Sequence, residues 1–288
     1  MAATIFASAP TTPAKPGYCA SRADITAEEA LLPVLSNEWV NDEYKHMIVQ
    51  GTPKTLAAVP GQFFNILPPS PDAGDLWLRR PQSIYQVDKA NGRLEFLYKC
   101  VGRGTNGMAT LKPGDNLDVV GPLGKGAFEI PEGAKNIVVL GRGVGLATLA
   151  PISQLAKERG IGVTALLSAR SPELAMGADL YSKVGTVVKL LDTDGTSGVE
   201  NVEKVLRQLI AEKKADAFFT CGSARLQALM KKLGKEHDIS GQVAMEQVMA
   251  CGLGPCYVCI RGFETADGHK DLRRVCFDGP VFNLQEAL

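Results

Sequence analysis

Four cysteines near the end of this 288-residue chain constrain its structure more than any other feature. Four residues separate Cys251 from Cys256, two separate Cys256 from Cys259, and Cys276 follows after 16 more. This is the C-x4-C-x2-C…C spacing of plant-type [2Fe–2S] sites, in which each iron takes two bridging sulfides and two protein thiolates. The spacing therefore predicts a small domain held together by a [2Fe–2S] cluster.

The loop between the first two cysteines contains Gly252 and Gly254. Glycine can take positive φ and adds no side chain, so backbone N–H groups can turn toward the cluster sulfurs. The main alternative is a structural zinc site, but four-cysteine zinc sites more commonly use two C-x2-C-like pairs. Only one such pair occurs here, because Cys276 stands alone. Unligated thiols are the remaining alternative.

The chain has seven cysteines, an odd number concentrated toward one end, which is unlike the disulfide framework of a small secreted domain. We expect a reducing compartment, and so a cytoplasmic protein. Cys19 and Cys100 are expected to have no metal role.

The chain contains 31 Lys and Arg residues and 31 Asp and Glu residues, so no basic surface for nucleic acid is predicted. No apolar run is long enough to span a membrane.

The chain is expected to fold into several domains of mixed β and α/β type. Residues 1–30 are rich in Ala, Thr, Pro and Ser and predict a flexible extension. Residues 31–131 predict an antiparallel β-barrel, residues 132–240 an α/β domain with a parallel sheet, and residues 241–288 the small cluster domain. The barrel is predicted from short β-forming runs between turn signals; they are Tyr44 to Val49, Gln62 to Leu67, Ser83 to Val87, Leu94 to Val101 and Asn116 to Val120.

The parallel sheet is predicted from strand and helix patterns that alternate after Asn136. The strands are Ile137 to Leu140, Ile161 to Leu167, Thr186 to Leu191 and Ala217 to Thr220; the helices follow Gly145 and occupy Val199 to Glu212 and Ala224 to Gly234. The first strand leads into the glycine-rich turn 141–145, where backbone N–H groups and a helix N-terminus could bind a dinucleotide pyrophosphate. The turn departs from G-x-G-x-x-G because position 146 is Leu, so packing alone could also explain its glycines.

Two further segments offer donors for phosphate. Arg79-Arg80-Pro81-Gln82-Ser83-Ile84 opens a predicted strand, where an arginine could pair with a phosphate and Ser83 could add a hydroxyl. Without context, a solvated basic corner explains the same residues. The loop 102–107 contains three glycines, Thr105 and Asn106, and could be either a second donor-rich loop or a simple turn.

The order of these parts closely resembles one family, the electron-transfer subunits of two-subunit dihydroorotate dehydrogenases, a branch of the ferredoxin–NADP reductase superfamily. The resemblance covers about Leu35 to Phe282. Its motifs are Gly61-Gln62-Phe63-Phe64, Arg79 to Ile84, Gly102-Arg103-Gly104-Thr105, Leu111-Lys112-Pro113-Gly114-Asp115, Gly121-Pro122-Leu123-Gly124, Thr220-Cys221-Gly222, Met245-Glu246 and Cys276-x-Asp278-Gly279-Pro280-Val281-Phe282.

The resemblance implies roles for particular residues. It places FAD against Arg80, Pro81, Ser83 and Ile84, with Arg80 toward the pyrophosphate and Ser83 near the isoalloxazine edge. Gly104 and Thr105 are implied to close on the FAD phosphates. The nicotinamide nucleotide is implied to contact Gly143, Val144, Gly145, Cys221 and Gly222, and the cluster to bind Cys251, Cys256, Cys259 and Cys276.

Three departures from the family pattern fall in the nucleotide domain. The usual Gly-Gly-Gly-Ile-Gly is residues 141–145, Gly-Arg-Gly-Val-Gly; the Ala-Pro after it is Ala147-Thr148; and Cys-Gly-Pro is Cys221-Gly222-Ser223. They are compatible with a paralogue that serves a different partner. The strand end at 168–170 has no Asp or Glu to hold a ribose 2′-OH, and Arg170 could meet a 2′-phosphate. NAD is the first choice from the resemblance, and NADP is the alternative.

These features predict a reductase subunit that moves electrons between NAD(P)H, FAD and the cluster, to or from a flavin-containing partner oxidoreductase in a hetero-oligomer. A flavin is needed because NAD(P)H gives two electrons as hydride, whereas the cluster takes one at a time. No catalytic acid or base is predicted. The alternatives are a stand-alone ferredoxin or oxygenase reductase, and a non-enzymatic redox sensor or zinc-held scaffold.

Overall fold

A computed structural model describes residues 27–69 and 76–288, so most of the predicted extension, including Cys19, lies outside the described residues. The first domain is a seven-stranded antiparallel sheet with strand order β4-β3-β7-β1-β2-β6-β5. Its elements are β1 (Glu28–Trp39), β2 (Tyr44–Gln50), β3 (Phe63–Leu67), β4 (Arg80–Ser83), β5 (Gln86–Asp88), β6 (Arg93–Lys99), α1 (Arg103–Ala109) and β7 (Asn116–Leu123).

The two edge strands of this sheet, β4 and β5, are joined by Ile84 and Tyr85 alone. So short a link requires the sheet to curl until its two edge strands approach each other, which gives the sheet the shape of a barrel. Ile84 is 2% exposed and packs inside the barrel, where Phe64 and Phe96 make an edge-to-face contact with ring centroids 5.7 Å apart. The predicted barrel is therefore confirmed, although the predicted strand Ser83 to Val87 is divided between β4 and β5.

Strand β1 was not predicted. It begins at Glu28, inside the predicted extension 1–30, and pairs with both β7 and β2. Its sequence EEALLPVLSNEW contains Pro33 and polar residues at both ends, so it lacks the simple alternation of a half-buried strand. The strand nevertheless forms, because partners on both sides complete its hydrogen-bonding ladder. Leu32 and Val34 lie in the barrel core.

The second domain is a six-stranded, mostly parallel sheet with strand order β10-β9-β8-β11-β12-β15 and helices on both faces. Its elements are β8 (Asn136–Arg142), α2 (Gly145–Glu158), β9 (Gly162–Ala169), α3 (Ala178–Val184), β10 (Thr186–Leu191), α4 (Val199–Ala211), β11 (Ala217–Cys221), α5 (Ala224–His237) and β12 (Ser240–Ala244). The strand order reverses between β8 and β11, and a crevice at such a switch point is where α/β sheets bind ligands.

The boundary predicted at residue 240 needs correction. Strand β12 runs parallel to β11 across that boundary, and β15 (Val281–Asn283) adds antiparallel to β12. The cysteine segment therefore leaves the α/β sheet and returns to it. Between these two strands in sequence lies the hairpin of β13 (Ile260–Glu264) and β14 (Lys270–Arg274), which packs through Phe263 against Phe282.

No helix in the described ranges is long and apolar enough to cross a membrane.

Candidate functional site

The four cysteines of the predicted cluster lie in two close pairs. The sulfurs of Cys251 and Cys256 are 3.1 Å apart, and those of Cys259 and Cys276 are 3.2 Å apart. Among the described residues, no three His, Cys, Asp or Glu side chains converge as ligands of a single ion. Two thiol pairs are the donor set that a two-iron cluster uses, because each iron takes two thiolates. The residues present therefore fit a [2Fe–2S] cluster.

The two pairs differ in environment. Cys259 and Cys276 are buried, whereas Cys256 is exposed, and the N–H of Val258 lowers the pKa of the Cys256 thiol to about 7. Burial raises the pKa of Cys276 above its ordinary value. A bound metal reverses such a shift, because a coordinating thiol loses its proton outright. The backbone N–H groups of Leu253 and Cys276 also point at cysteine sulfurs, each at 3.4 Å.

A cavity of about 270 Å³ lies between the barrel, the start of α2 and the segment 245–249. Four residues of the predicted cofactor sites line it: Pro81 and Ser83 from β4, Thr105 from α1, and Val144 from the glycine-rich turn. The other lining residues are Phe63, Gln82, Leu97, Lys99, Val101, Thr148, Met245, Glu246, Gln247, Met249 and Pro280. Its volume lies near the lower limit for ligand pockets, so it can take the ring system of a flavin rather than a whole dinucleotide.

Arg80 and Gly104 lie beside this cavity and do not line it. A Cβ atom on Gly104 would come within 2.5 Å of Arg80 Nε, so the arginine lies directly over the first turn of α1. Thr105 Oγ1 accepts hydrogen bonds from the N–H groups of Val101 and Gly102, which fixes the loop in front of that helix.

The two adjacent arginines at the start of β4, Arg79 just before the strand and Arg80 as its first residue, differ in their partners. Arg79 is paired with Asp118 at 2.7 Å and Glu29 at 2.6 Å, whereas Arg80 Nη1 donates to the carbonyl oxygen of Leu78 at 2.5 Å. Within residues 27–69 and 76–288, no carboxylate pairs with Arg80.

The predicted nucleotide residues meet at the crevice between β8 and β11. Gly143 has φ of +57° and Gly222 has φ of +89°. The two turns pack directly on each other, since a Cβ on Gly145 would lie 2.6 Å from the Cys221 carbonyl group. A second cavity, of about 230 Å³, is lined by Cys221 and Gly222 and shares Met245 and Glu246 with the first.

Glu246 stands between the two cavities, and the sequence analysis did not identify it as a site residue. Cys221 Sγ lies 3.8 Å from Glu246 Oε1. Burial raises the pKa of the Cys221 thiol, and desolvation by the surrounding protein raises the pKa of the Glu246 carboxyl above its ordinary value. The chain thus places a carboxyl group with a raised pKa where the two cavities meet. The signal that could have identified it is its position in the short segment between β12 and Cys251.

The arginines at the outer end of the crevice are already neutralised. Arg142 donates to Asp192 at 2.7 Å and to Ser168 at 2.8 Å. The hydrogen bonds that Asp192 accepts from Arg142 and Ser197 lower the pKa of its carboxyl to about 2. Arg170, which could have met a 2′-phosphate, is instead paired with Glu43 from the barrel. Glu43 also pairs with Lys99 at 2.8 Å.

Comparisons with known proteins agree with this architecture. Residues 246–287 match the family described as the iron–sulfur cluster binding domain of dihydroorotate dehydrogenase B. A relative from Fusobacterium nucleatum named dihydroorotate dehydrogenase B (NAD(+)), electron transfer subunit, is 34% identical over 90% of this chain and 95% of its own length. A relative of the same name from Enterococcus faecalis is 31% identical over 91% of this chain and 98% of its own length.

Solved structures with the same fold include a chain from the NADH-dependent reduced ferredoxin–NADP oxidoreductase, studied for flavin-based electron bifurcation. It has a TM-score of 0.73 and 26% identity, and the match covers 90% of each chain. The ferredoxin reductase of carbazole 1,9a-dioxygenase has a TM-score of 0.57 at 19% identity, covers 72% of this chain and 65% of its own, and shows the fold alone. Given the identity and coverage of its relatives, this chain belongs to the family of dihydroorotate dehydrogenase B electron transfer subunits.

Proposed function

We propose that this protein is an electron-transfer subunit that moves electrons between NAD(H), FAD and a [2Fe–2S] cluster, to or from a flavin-containing partner oxidoreductase. One observation carries the proposal. The segment 245–251 connects all three candidate sites, because Met245 and Glu246 line both cavities, Met249 lines the first, and Cys251 begins the cluster loop. Electron transfer needs the nucleotide, the flavin and the cluster close together, with the flavin between the other two.

The first cavity is the proposed flavin site. Pro81, Ser83 and Thr105 would contact the ring system, Ile84 would support β4 from the barrel core, and Arg80 and Gly104 would hold the phosphates beside α1. Arg80 suits a phosphate because a guanidinium presents a planar set of donors that match two oxygens at once. The relatives' name includes NAD(+), which supports NAD as the nucleotide. The similar structure studied for flavin-based electron bifurcation supports a flavoprotein.

The second cavity and the crevice are the proposed nucleotide site. Gly143, Val144 and Gly145 would hold the pyrophosphate at the N-terminus of α2, while Cys221 and Gly222 would lie beside the nicotinamide ring. The two cavities share Met245 and Glu246, so these residues would orient a bound nicotinamide ring toward a bound flavin ring. The nucleotide supplies hydride when it is bound, and the cluster, held by Cys251, Cys256, Cys259 and Cys276, exchanges single electrons.

The relatives are named electron transfer subunits, which supports the existence of a partner. We expect this chain to form a hetero-oligomer with a catalytic subunit that carries its own flavin. The departures at Arg142, Thr148 and Ser223 are compatible with a partner other than a dihydroorotate dehydrogenase. Four thiolates that must stay reduced to bind the cluster support a cytoplasmic location.

Purification tests the proposal directly. We expect a brown-yellow protein that contains about one FAD, two irons and two acid-labile sulfides per chain, and that reduces an artificial acceptor with NADH. Co-purification at native abundance should identify the partner subunit. Zinc without acid-labile sulfide, or a colourless protein, would contradict the proposal and favour the zinc-held scaffold.

A further inference from the structure

A buried amide side chain connects the barrel to the cluster loop. Asn65 lies in the middle of β3 and is 2% exposed. Its Nδ2 donates to the carbonyl oxygen of Cys251 at 3.0 Å, across 186 positions of sequence. The first cluster ligand is therefore held by a strand of the barrel.

The other end of the same amide has no partner. Asn65 Oδ1 is buried and no donor reaches it among the described residues. The assignment of oxygen and nitrogen is not ambiguous, because the atom facing the Cys251 carbonyl must be a donor. The amide therefore satisfies the Cys251 carbonyl through Nδ2 but has an unfavourable, unpartnered oxygen at its other end.

The cluster loop fits against Asn65 at a glycine. Gly252 has φ of +69°, and a Cβ built on it would lie 2.4 Å from Asn65 Nδ2. No real Cβ contact is that short, so the loop can approach this amide only because position 252 has no side chain. The nearby Gly254 is in a similar conformation, with φ of +103°, but faces Phe277 at 3.1 Å.

Asn65 lies next to the wall of the proposed flavin site without lining the cavity itself. Across the β3–β4 pair it lies opposite Pro81, and Phe63 lies opposite Ser83. Pro81, Phe63 and Ser83 all line the first cavity. The side chain thus adjoins the proposed flavin site and contacts the loop that begins the cluster site.

We propose that Asn65 is a positioning residue that fixes the cluster loop against the flavin wall and thereby sets the rate of electron transfer between the two groups. This inference rests on the proposed function. Each transfer removes one electron from reduced flavin and reduces one ferric ion to ferrous, and no atom or proton leaves Asn65. The positive end of the amide dipole, at Nδ2, lies 3.0 Å from the Cys251 carbonyl oxygen, and it would therefore also favour the more negative, reduced state of a bound cluster.

The first test replaces Asn65 with its apolar isostere in the purified holoprotein. We expect N65L to keep FAD, iron and sulfide and to unfold at a temperature close to that of the wild type, because it removes the unpartnered oxygen together with the donor to the Cys251 carbonyl. Flavin-to-cluster transfer, measured by stopped flow, should slow by about tenfold, because small displacements of reacting groups are costly. The cluster midpoint potential, from an EPR redox titration, should fall. NADH-driven reduction of an acceptor that takes electrons from flavin should stay within about twofold.

The second test uses the contact with Gly252 in a double-mutant cycle. G252A should lose most of its iron and sulfide, because the new methyl group collides with Asn65. The double variant N65A/G252A should regain iron relative to G252A, since the collision is removed. G254A is the matched control, because its methyl group would meet Phe277, and N65A should not rescue it. Such coupling is expected only between residues in contact.

The results separate this inference from the proposed function. A wild-type protein without FAD or cluster would overturn both. If wild type contains both, then wild-type transfer rate and potential in N65L would overturn the role of Asn65 alone. Equal rescue of G252A and G254A by N65A would likewise overturn it, because the effect would then be general loosening of the loop.

Discussion

The cluster loop and the outer end of the nucleotide crevice are both lined by groups that could bind a charged cofactor, but they differ in what already neutralises them. The four thiols face one another in two pairs, and the N–H group of Leu253 points at the sulfur of Cys251. Arg142 and Arg170, by contrast, are each paired with a carboxylate, from Asp192 and Glu43. A ligand set of cysteines is thus available to its cofactor, whereas an arginine is available only if no acid already holds it.

The largest effect should come from breaking the cluster. C256S replaces a thiolate with a poorer, harder oxygen ligand, so the cluster should be lost or strongly destabilised. Transfer to the natural partner should fall by at least about 100-fold, which corresponds to about 2.7 kcal/mol. NADH-driven reduction of an artificial acceptor should survive, because the flavin site uses other residues.

EPR of the reduced protein, partner reduction and acceptor reduction together measure the effect of C256S. C100S is the control, since Cys100 lies after β6, apart from the four-thiol site, and should leave all three unchanged. Partner reduction at the wild-type rate without any cluster signal would show that electrons take another route.

The next largest effect is expected at Arg80, and the neighbouring Arg79 serves as the comparison. R80A should weaken FAD binding by about tenfold or more, about 1.4 kcal/mol, because a charged phosphate contact is lost from a folded site. R79A should instead leave FAD binding unchanged, since Arg79 is already held by Asp118 and Glu29. Flavin content after dialysis and the FAD dissociation constant measure this difference. Equal FAD loss in both variants would indicate that Arg80 belongs to a solvated basic corner and has no specific contact with FAD.

A smaller effect is expected at the meeting point of the two nucleotide turns. G145A adds a methyl group 2.6 Å from the backbone carbonyl of Cys221, which cannot move aside as a side chain could. KM for NADH should therefore rise by about tenfold, while FAD, iron and sulfide stay at wild-type levels. G198A is the control, because a Cβ there meets nothing closer than 3.7 Å. Unchanged KM in G145A would place the nucleotide elsewhere.

The smallest effect concerns the preference of the protein for NADH over NADPH. Wild type should prefer NADH by at least about tenfold in kcat/KM, or about 1.4 kcal/mol, because a 2′-phosphate would have to approach Asp192 and Glu43. D192N removes one of these charges and frees Arg142, so kcat/KM for NADPH should rise by about threefold to tenfold, within the range of one partly exposed charge pair. NADH kinetics should change little.

D194N is the matched control for D192N, because Asp194 lies in the same loop but bonds to Thr196. A wild-type preference for NADPH would mean that Asp192 and Glu43 do not prevent Arg142 and Arg170 from binding a 2′-phosphate. An equal gain in both variants would mean that the overall charge of the loop, and not the pair with Arg142, decides nucleotide choice.

The sequence by itself determined the features that depend on residue type over short distances. The cysteine spacing predicted the ligand set because all four residues lie within one short segment. The alternation of strand and helix predicted the parallel sheet because hydrophobic periodicity is local. The family and the general division into barrel, α/β and cluster regions followed from the same motifs.

Only the tertiary structure decided the features that join distant segments. Strand β1 forms because β2 and β7 both pair with it, and β12 and β15 enter the α/β sheet from either side of the cysteine segment. The pairs of Arg170 with Glu43 and of Asn65 with Cys251 join residues that no local pattern relates. Charge neutralisation and burial depend on which side chains meet in space, so a phosphate site or a buried amide becomes recognisable only once the chain has folded.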